Sequence, residues 1–311
     1  MASMTYDLHR LRLLRELKHR GTLAAVAAAL SYSPSTVSQQ LSQLESEAGV
    51  RLLEPAGRRV RLTEQAEILV AHTEAVLERL ERAEADIAAS ATGLTGTLRV
   101  AAFQTAALAL LPAALTRLHT AHPGLRVHLT QSEPEQALPA LLARDFDLVV
   151  TEEFPGRPHP RTDGLEREPL CDDALRLALP PGTDAPSAPA AALRALAGHP
   201  WAMEPEGSAA RHWTVTLCRE AGFEPDVRFE SPDLLLHLRL VEQGHAAALL
   251  PDLVHGGRPP AVPLRPLPGG PVRALSTAVR RGRGGHPAIR ACRAALREAA
   301  ADVLTPGPAR R

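Results

Sequence analysis

The chain has 311 residues, with 35 Lys and Arg against 35 Asp and Glu, so it carries no formal net charge, and 45% of it is hydrophobic. That length exceeds one ordinary domain and leaves room for a large core. The apolar run from Ala106 to Leu115 is too short to span a bilayer and is broken by Pro112, and MASMTYDLHR lacks a signal-peptide apolar region, so a cytoplasmic protein with no membrane partner is expected.

In chain order, the first informative stretch is residues 21–44, GTLAAVAAALSYSPSTVSQQLSQL. It reads as two short helices around a tight turn. Thr22 caps the first, Leu23 to Leu30, whose alanines let a partner helix approach closely. Ser33 is a good N-cap for the second, and Pro34 fits the first helical position, where its missing N–H costs nothing. At about 100° per residue, Val37, Leu41, Leu44 and Ala48 form one apolar stripe, while Ser35, Thr36, Gln39, Ser42 and Gln43 lie opposite. Such a face suits a DNA groove: Gln pairs bidentately with adenine, Ser and Thr bond bases or phosphates, and none of them repels phosphate. An ordinary surface helical hairpin would show the same bare pattern.

The segment that follows decides between them. Gly49 ends the helix, and RLLEPAGRRVRLT alternates Val60 and Leu62 against Arg59 and Arg61, a short hairpin with a basic edge. Arg58 and Arg59 there would hold phosphates beside the reading helix. Residues 1–64 carry nine Lys and Arg against six Asp and Glu, whereas residues 65–92 carry two Arg against six acids. Basic charge is thus segregated at the N-terminus, as a phosphate-binding module requires. Residues 64–90 form a helix without Gly or Pro, with Ala66, Leu69, Val70, Thr73, Val76, Leu77, Leu80, Ala83 and Ile87 as a coiled-coil seam. At ~1.5 Å per residue it is long enough to project from the wing and pair with a second copy. A two-fold dimer of such modules expects a pseudo-palindromic site.

Taken together, Leu8-x-x-Leu11-x-x-Leu14, Gly21-Thr22, the helix from Ala24 to Leu30, Ser33-Pro34-Ser35-Thr36-Val37-Ser38-Gln39-Gln40-Leu41, Leu44-Glu45, Gly49-Val50 and the run from Gly57 to Thr63 resemble the LysR-type transcriptional regulators. The resemblance is collinear over residues 4–90. It implies a winged helix-turn-helix over 4–63, a linker helix over 64–92 that dimerises, and a two-lobed effector domain over 93–305 like that of periplasmic binding proteins. It also implies DNA contacts from Thr22, Ser33, Pro34, Ser35, Thr36, Ser38, Gln39, Gln40, Gln43, Arg58 and Arg59. Leu53 stands where the family usually has Phe, Pro55 where Arg is common and Ala66 where Gly is common; at Pro55 one expected phosphate contact is missing.

After Gly93 to Gly96 the chain alternates strands and helices: TLRVAAF, a helix near Leu108 to Leu118, LRVHLTQ, a helix near Pro134 to Ala143, and DLVVTE, a βαβαβ pattern with a parallel sheet. A second unit follows in LRLALP, Pro200 to Met203, a helix from about Ser208 to Ala221, VRFE, a helix near Leu234 to Gln243, and AAALLP. Residues 273–279 and a last helix near Pro287 to Leu304 return to the first unit. This α/β pattern divides into lobe I, about 95–163 and 271–305, and lobe II, about 164–270, with a ligand cleft between. The resemblance places Phe103, Gln104, Thr105, Glu152, Gly207, Ser208, Pro232 and Asp233 around a small-molecule effector. Glu152 and Glu204 would meet a cationic ligand group or be solvated loop acids.

The chain offers no Gly-rich phosphate loop, no H-E-x-x-H and no G-x-S-x-G, so no enzyme, cofactor or metal is expected. His119 and His122 lack a third ligand nearby. Cys171, Cys218 and Cys292 are widely spaced and read as reduced, partly buried thiols, with a redox pair between Cys171 and Cys218 as the sharper alternative. The expected protein is a cytoplasmic, nucleoid-associated, sequence-specific DNA-binding regulator, a homodimer or tetramer with a small-molecule effector. A ligand-binding module whose N-terminal helices only mediate protein association is the alternative, and an enzyme of small metabolites a third.

Overall fold

The computed structural model describes residues 6–57, 59–91, 93–156 and 162–304, without the side chain of Arg59. Helix α1 (Leu8–Arg20) begins where the Asp7 carboxylate accepts from the N–H groups of His9 and Arg10, and it ends at Gly21, whose φ of 76° suits a residue without Cβ. Helices α2 (Leu23–Leu30) and α3 (Pro34–Ala48) follow, joined through Ser31 at φ 59°. Strands β1 (Leu53–Ala56) and β2 (Arg59–Leu62) form the antiparallel wing, with Leu53 opposite Leu62. Leu14, Leu17, Val26, Val37, Leu41, Leu44 and Leu52 pack into one core that also takes Ala66 and Val70 of α4 (Glu64–Ala89). Glu45 fixes the wing to α3, its Oε1 accepting from Leu52 N at 2.7 Å and Leu53 N at 3.0 Å.

The expected single seam on α4 divides in two. Ala66, Val70, Thr73, Leu77, Glu81 and Ala85 are buried within this chain, whereas Ile68, Val76, Leu80 and Ile87 stay exposed. A stripe more than about 100° wide serves two neighbours: one edge docks on the chain's own domains and the other faces outward. The helix therefore does not simply project away from the wing.

The effector region starts with β3 (Gly96–Ala102), α5 (Gln104–Ala109), α6 (Leu111–Ala121), β4 (Leu125–Gln131), α7 (Pro134–Leu142) and β5 (Leu148–Glu153). Strand β3 pairs in parallel with β4 and with β5, as the βαβαβ reading requires. The helix expected near Leu108 to Leu118 is two helices, because Pro112 cannot donate a helical hydrogen bond and fits best in a new first turn. Next come β6 (Leu165–Ala178), α8 (Pro189–Ala195), β7 (Pro200–Met203), α9 (Ala209–Glu220), β8 (Asp226–Glu230), α10 (Leu234–Glu242), β9 (Ala248–Pro251), β10 (Leu264–Pro266), β11 (Val272–Arg280) and α11 (Pro287–Leu304). The sequence reading missed α8 and β10, both short.

The sheet is not parallel throughout. Its order is β10-β6-β11-β5-β3-β4, with β9 also on β6, and β11 runs antiparallel to both β5 and β6. Strand β6 belongs to both lobes: from Leu165 onward it pairs with β11, and Leu175 to Ala178 pair with β9. The first lobe crossing thus lies inside β6, later than the expected change after residue 163. A register shift between Leu275 and Ser276 marks the same place on β11. Val100, Leu110, Leu148, Ile289 and Leu296 fill lobe I, and Leu177, Leu193, Trp201 and Leu249 fill lobe II.

Candidate DNA-reading face and interlobe cleft

Helix α3 presents the face its sequence promises. Val37, Leu41 and Leu44 are buried, while Ser35, Ser38, Gln39 and Gln43 are exposed. Ser33 Oγ accepts from Thr36 N at 3.1 Å and lies 2.7 Å from Ser35 Oγ and 2.8 Å from Thr36 Oγ1, so the first turn is a preordered group of hydroxyls at the positive end of a helix. Pro34 opens that helix, and Thr22 caps α2 through Ala25 N at 3.1 Å. Gln40 departs from expectation. Its Oε1 accepts from Arg10 Nε at 3.0 Å, and Arg10 also pairs with Glu47, so Gln40 holds α1 against α3 instead of facing outward. Arg58 lies outside the described residues; Arg59 occupies β2 opposite Ala56. Pro55 sits exposed in β1.

The N-terminal basic charge is not all free for phosphate. Arg15 is 4% exposed, and it donates to Leu142 O at the end of α7. Arg20 donates to Ala143 O at 3.1 Å and to Asp145 at 3.0 Å. Arg280 donates to Leu141 O at 3.0 Å. Three guanidinium groups thus cap the negative end of α7, two of them from α1 of the reading module. Beside them, the buried Glu81 of α4 accepts from Arg280 at 2.8 Å and Arg283 at 2.8 Å and pairs with Arg144 at 3.0 Å.

Between the lobes lies a cavity of about 100 Å³ lined by Phe103, Gln104, Thr105, Glu152, Ser208 and Pro232, all expected there. Asp233 joins it at one remove: Gln104 Nε2 donates to Asp233 Oδ1 at 2.6 Å while Gln104 Oε1 accepts from Leu234 N at 2.9 Å, a direct latch across the cleft. Gly207 lies instead on a neighbouring groove that also reaches Lys18 and His19 of α1. Ser208 caps α9 through Arg211 N at 3.1 Å, so its hydroxyl is occupied in part.

The hub of the cleft is Arg273 of β11, which the sequence reading missed. Its side chain is 1% exposed, and it donates to Asp173 Oδ2 at 2.9 and 2.7 Å, to Thr105 Oγ1 at 2.6 Å and to Glu152. Its guanidinium lies 5.1 Å from the centre of the Phe103 ring. Phe103 therefore forms the floor beneath a buried cation. Glu152 is not a solvated loop acid, and Glu204 is not either. Burial, aggravated by the nearby Glu152 carboxylate, pushes both Glu204 and Glu133 up to about 7. Burial pushes the thiols of Cys171, Cys218 and Cys292 up to about 12. Cys171 packs against the lobe I core and Cys218 within that of lobe II, apart from one another. Among the described residues no three His, Cys, Asp or Glu side chains gather as a metal site, and no helix is long and apolar enough to cross a membrane.

Comparison with known proteins agrees with this layout. The family model for the bacterial regulatory helix-turn-helix protein, lysR family, matches residues 8–67, and that for the LysR substrate binding domain matches residues 91–301. A "probable hydrogen peroxide-inducible genes activator" of Mycobacterium leprae is 30% identical over 243 residues, 78% of this chain and 76% of that protein. A full-length OxyR variant from Pseudomonas aeruginosa has the same fold, with a TM-score of 0.69 at 22% identity over 98% of this chain and 99% of that one. Full-length CbnR, solved with its target DNA, superposes with a TM-score of 0.53 at 24% identity over 95% of this chain and 100% of that one. With a reading module, a linker helix and a two-lobed domain in this order, and with family models matching the first and the last of these, the chain belongs to the LysR family of transcriptional regulators.

Proposed function

We propose that this regulator binds a pseudo-palindromic promoter site as a homodimer or dimer of dimers, and that a small molecule between its lobes alters that binding. The working division is a reading module over 4–63, a linker helix over 64–92 and an effector domain over 93–305. The observation that carries the reading is the outward face of α3, where Ser35, Ser38, Gln39 and Gln43 are exposed beside a basic wing. Ser35, Thr36, Ser38, Gln39 and Gln43 would read base edges; Thr22, Ser33 and Pro34 set the approach of the helices, and Arg58 and Arg59 hold phosphates. The protein would act in the cytoplasm on the nucleoid, by binding and not by turnover.

Helix α7 is the proposed route between the sites. Its first turn, at Pro134 and Glu135, lines the cleft, and its last carbonyls are held by Arg15 and Arg20 of the reading module. A ligand that prefers one lobe spacing would move α7 and with it α1. Peroxide, named for the relatives, fits this chain poorly as its effector. A thiol reacts as its thiolate, and the half-buried Cys171 and the buried Cys218 and Cys292, pushed up to about 12, stay protonated at neutral pH.

Equilibrium binding to the promoter regions beside its own gene, titrated against salt, tests the proposal. Arg58→Ala with Arg59→Ala should weaken all DNA alike and reduce the salt slope by about two, whereas Gln39→Ala should cost about 1–3 kcal/mol on the preferred site alone. Binding without salt dependence or sequence preference would overturn it and favour the protein-association alternative.

A further inference from the structure

We propose that the interlobe cleft takes a small ligand carrying an ammonium group on a short apolar stem, a proposal that rests on the cleft being the effector site of a DNA-binding regulator. The groups around the cavity are Glu133 at the start of α7, Glu135 on α7, Glu152 on β5, Glu204 after β7 and Arg273 on β11. Arg273 is already engaged by Asp173 and Glu152. Neither Glu133 nor Glu204 has a bonded cation partner among the described residues. Glu133 accepts from the Gln104 N–H, and Glu204 from its own. Arg273 acts on both only through space, and Arg211 reaches the Glu204 carbonyl oxygen, at 3.1 Å, and pairs with Glu230 at 3.7 Å.

Among the described residues, four carboxylates line the cavity against the single guanidinium of Arg273, an excess of negative charge that disfavours anions and suits a cation. The apolar part of the wall sets the rest of the ligand. Phe154, propped against Trp213 with ring centres 6.0 Å apart, and Leu234 face the same space. An aromatic wall suits an ammonium and its methylenes alike. The cavity's 100 Å³ is about the share of three waters, which limits the ligand to a few non-hydrogen atoms.

Proton linkage gives the proposal a signature that a nonspecific amine contact lacks. Burial pushes Glu133 and Glu204 up to about 7, so an arriving cation replaces a proton. For each of the two carboxyls that the cation deprotonates, uptake should release about half a proton at pH 7 and affinity should rise about tenfold between about pH 6 and pH 8 while the amine itself stays protonated.

The experiment is calorimetric titration of the full-length protein with n-butylamine, n-butanol and butanoate, in two buffers of different ionisation enthalpy, with DNA binding measured on the same preparation. The expected result is n-butylamine binding at least tenfold tighter than either analogue, with proton release, and at least tenfold weaker binding by Glu204→Gln. Proton release in the unaltered chain keeps the test valid even if that variant folds poorly. Equal or tighter binding of butanoate or n-butanol, no binding of the amine, or amine binding indifferent to pH overturns the cationic assignment. If DNA binding persists in those cases, the regulator reading stands without it. If the amine binds as expected and DNA does not, the regulator reading fails while the cleft chemistry holds.

Discussion

Arg273 shows what one buried side chain decides. It bonds both Asp173, which is 0% exposed, and Glu152 at the cleft floor. Replacing it by Met keeps much of its volume but strands the Asp173 carboxylate, which should cost about 3–5 kcal/mol at neutral pH. Because protonation neutralises the stranded acid, the drop in melting temperature relative to the unaltered chain should shrink toward about pH 5; a pH-independent drop would mean that lost packing is responsible. Ser31 offers the opposite case. It holds a φ of 59° at the turn between α2 and α3, where Gly carries no Cβ penalty, so Ser31→Gly should raise stability by about 0.5–1 kcal/mol in denaturant unfolding. The turn was readable in the sequence as a turn. Arg273 was not readable as a hub, because its partner Asp173 lies 100 positions earlier and both sit in strands whose neighbours are mostly apolar.

At the scale of elements, legibility follows the range of the interactions. Caps, the Pro34 start and the stripe of α3 are set within one helix, and the boundaries Leu23–Leu30 and Pro287–Leu304 are found where expected. The antiparallel pairing of β6 with β11 depends on partners about a hundred residues apart, and no local periodicity encodes it. Helix α4 lies between these cases. Its apolar residues are legible, but which of them face this chain is decided by distant surfaces. Ile68, Val76, Leu80 and Ile87 remain exposed, and Val76 and Ile68 also border an apolar hollow with Tyr6, Leu11 and Val50. A second copy of α4 is the proposed cover. Val76→Glu with Leu80→Glu places charge there without touching the buried edge. Sedimentation should then report monomers at concentrations where the unaltered chain is dimeric, with the helix content unchanged; an unaltered sedimentation coefficient would remove α4 from the interface.

Over the whole molecule, reading module, linker helix and effector domain meet at one ionic cluster. Glu81 of α4 is 2% exposed and accepts from Arg280 and Arg283 of the effector domain, with Arg144 close by, while Arg15 and Arg20 of α1 cap the adjoining end of α7. The three cations hold the Glu81 carboxyl below its ordinary value of 4.5 despite burial. A carboxylate with a lowered folded pKa stabilises the fold fully above the unfolded value and loses that contribution as the pH falls through the folded one. Acid should therefore loosen the domains from one another before either core opens. Glu81→Ala should imitate that state at neutral pH: it takes a shared carboxylate from Arg280 and Arg283, which keep Asp147 and Glu84, costs about 3 kcal/mol, and separates the melting of the reading module from that of the effector domain. Differential scanning calorimetry reads this as one transition becoming two, with the gap closing below about pH 4 as the unaltered chain loses the same contact. One transition at every pH in both proteins would mean that apolar packing of α4, through Leu77 and Ala85, holds the domains together without the ions.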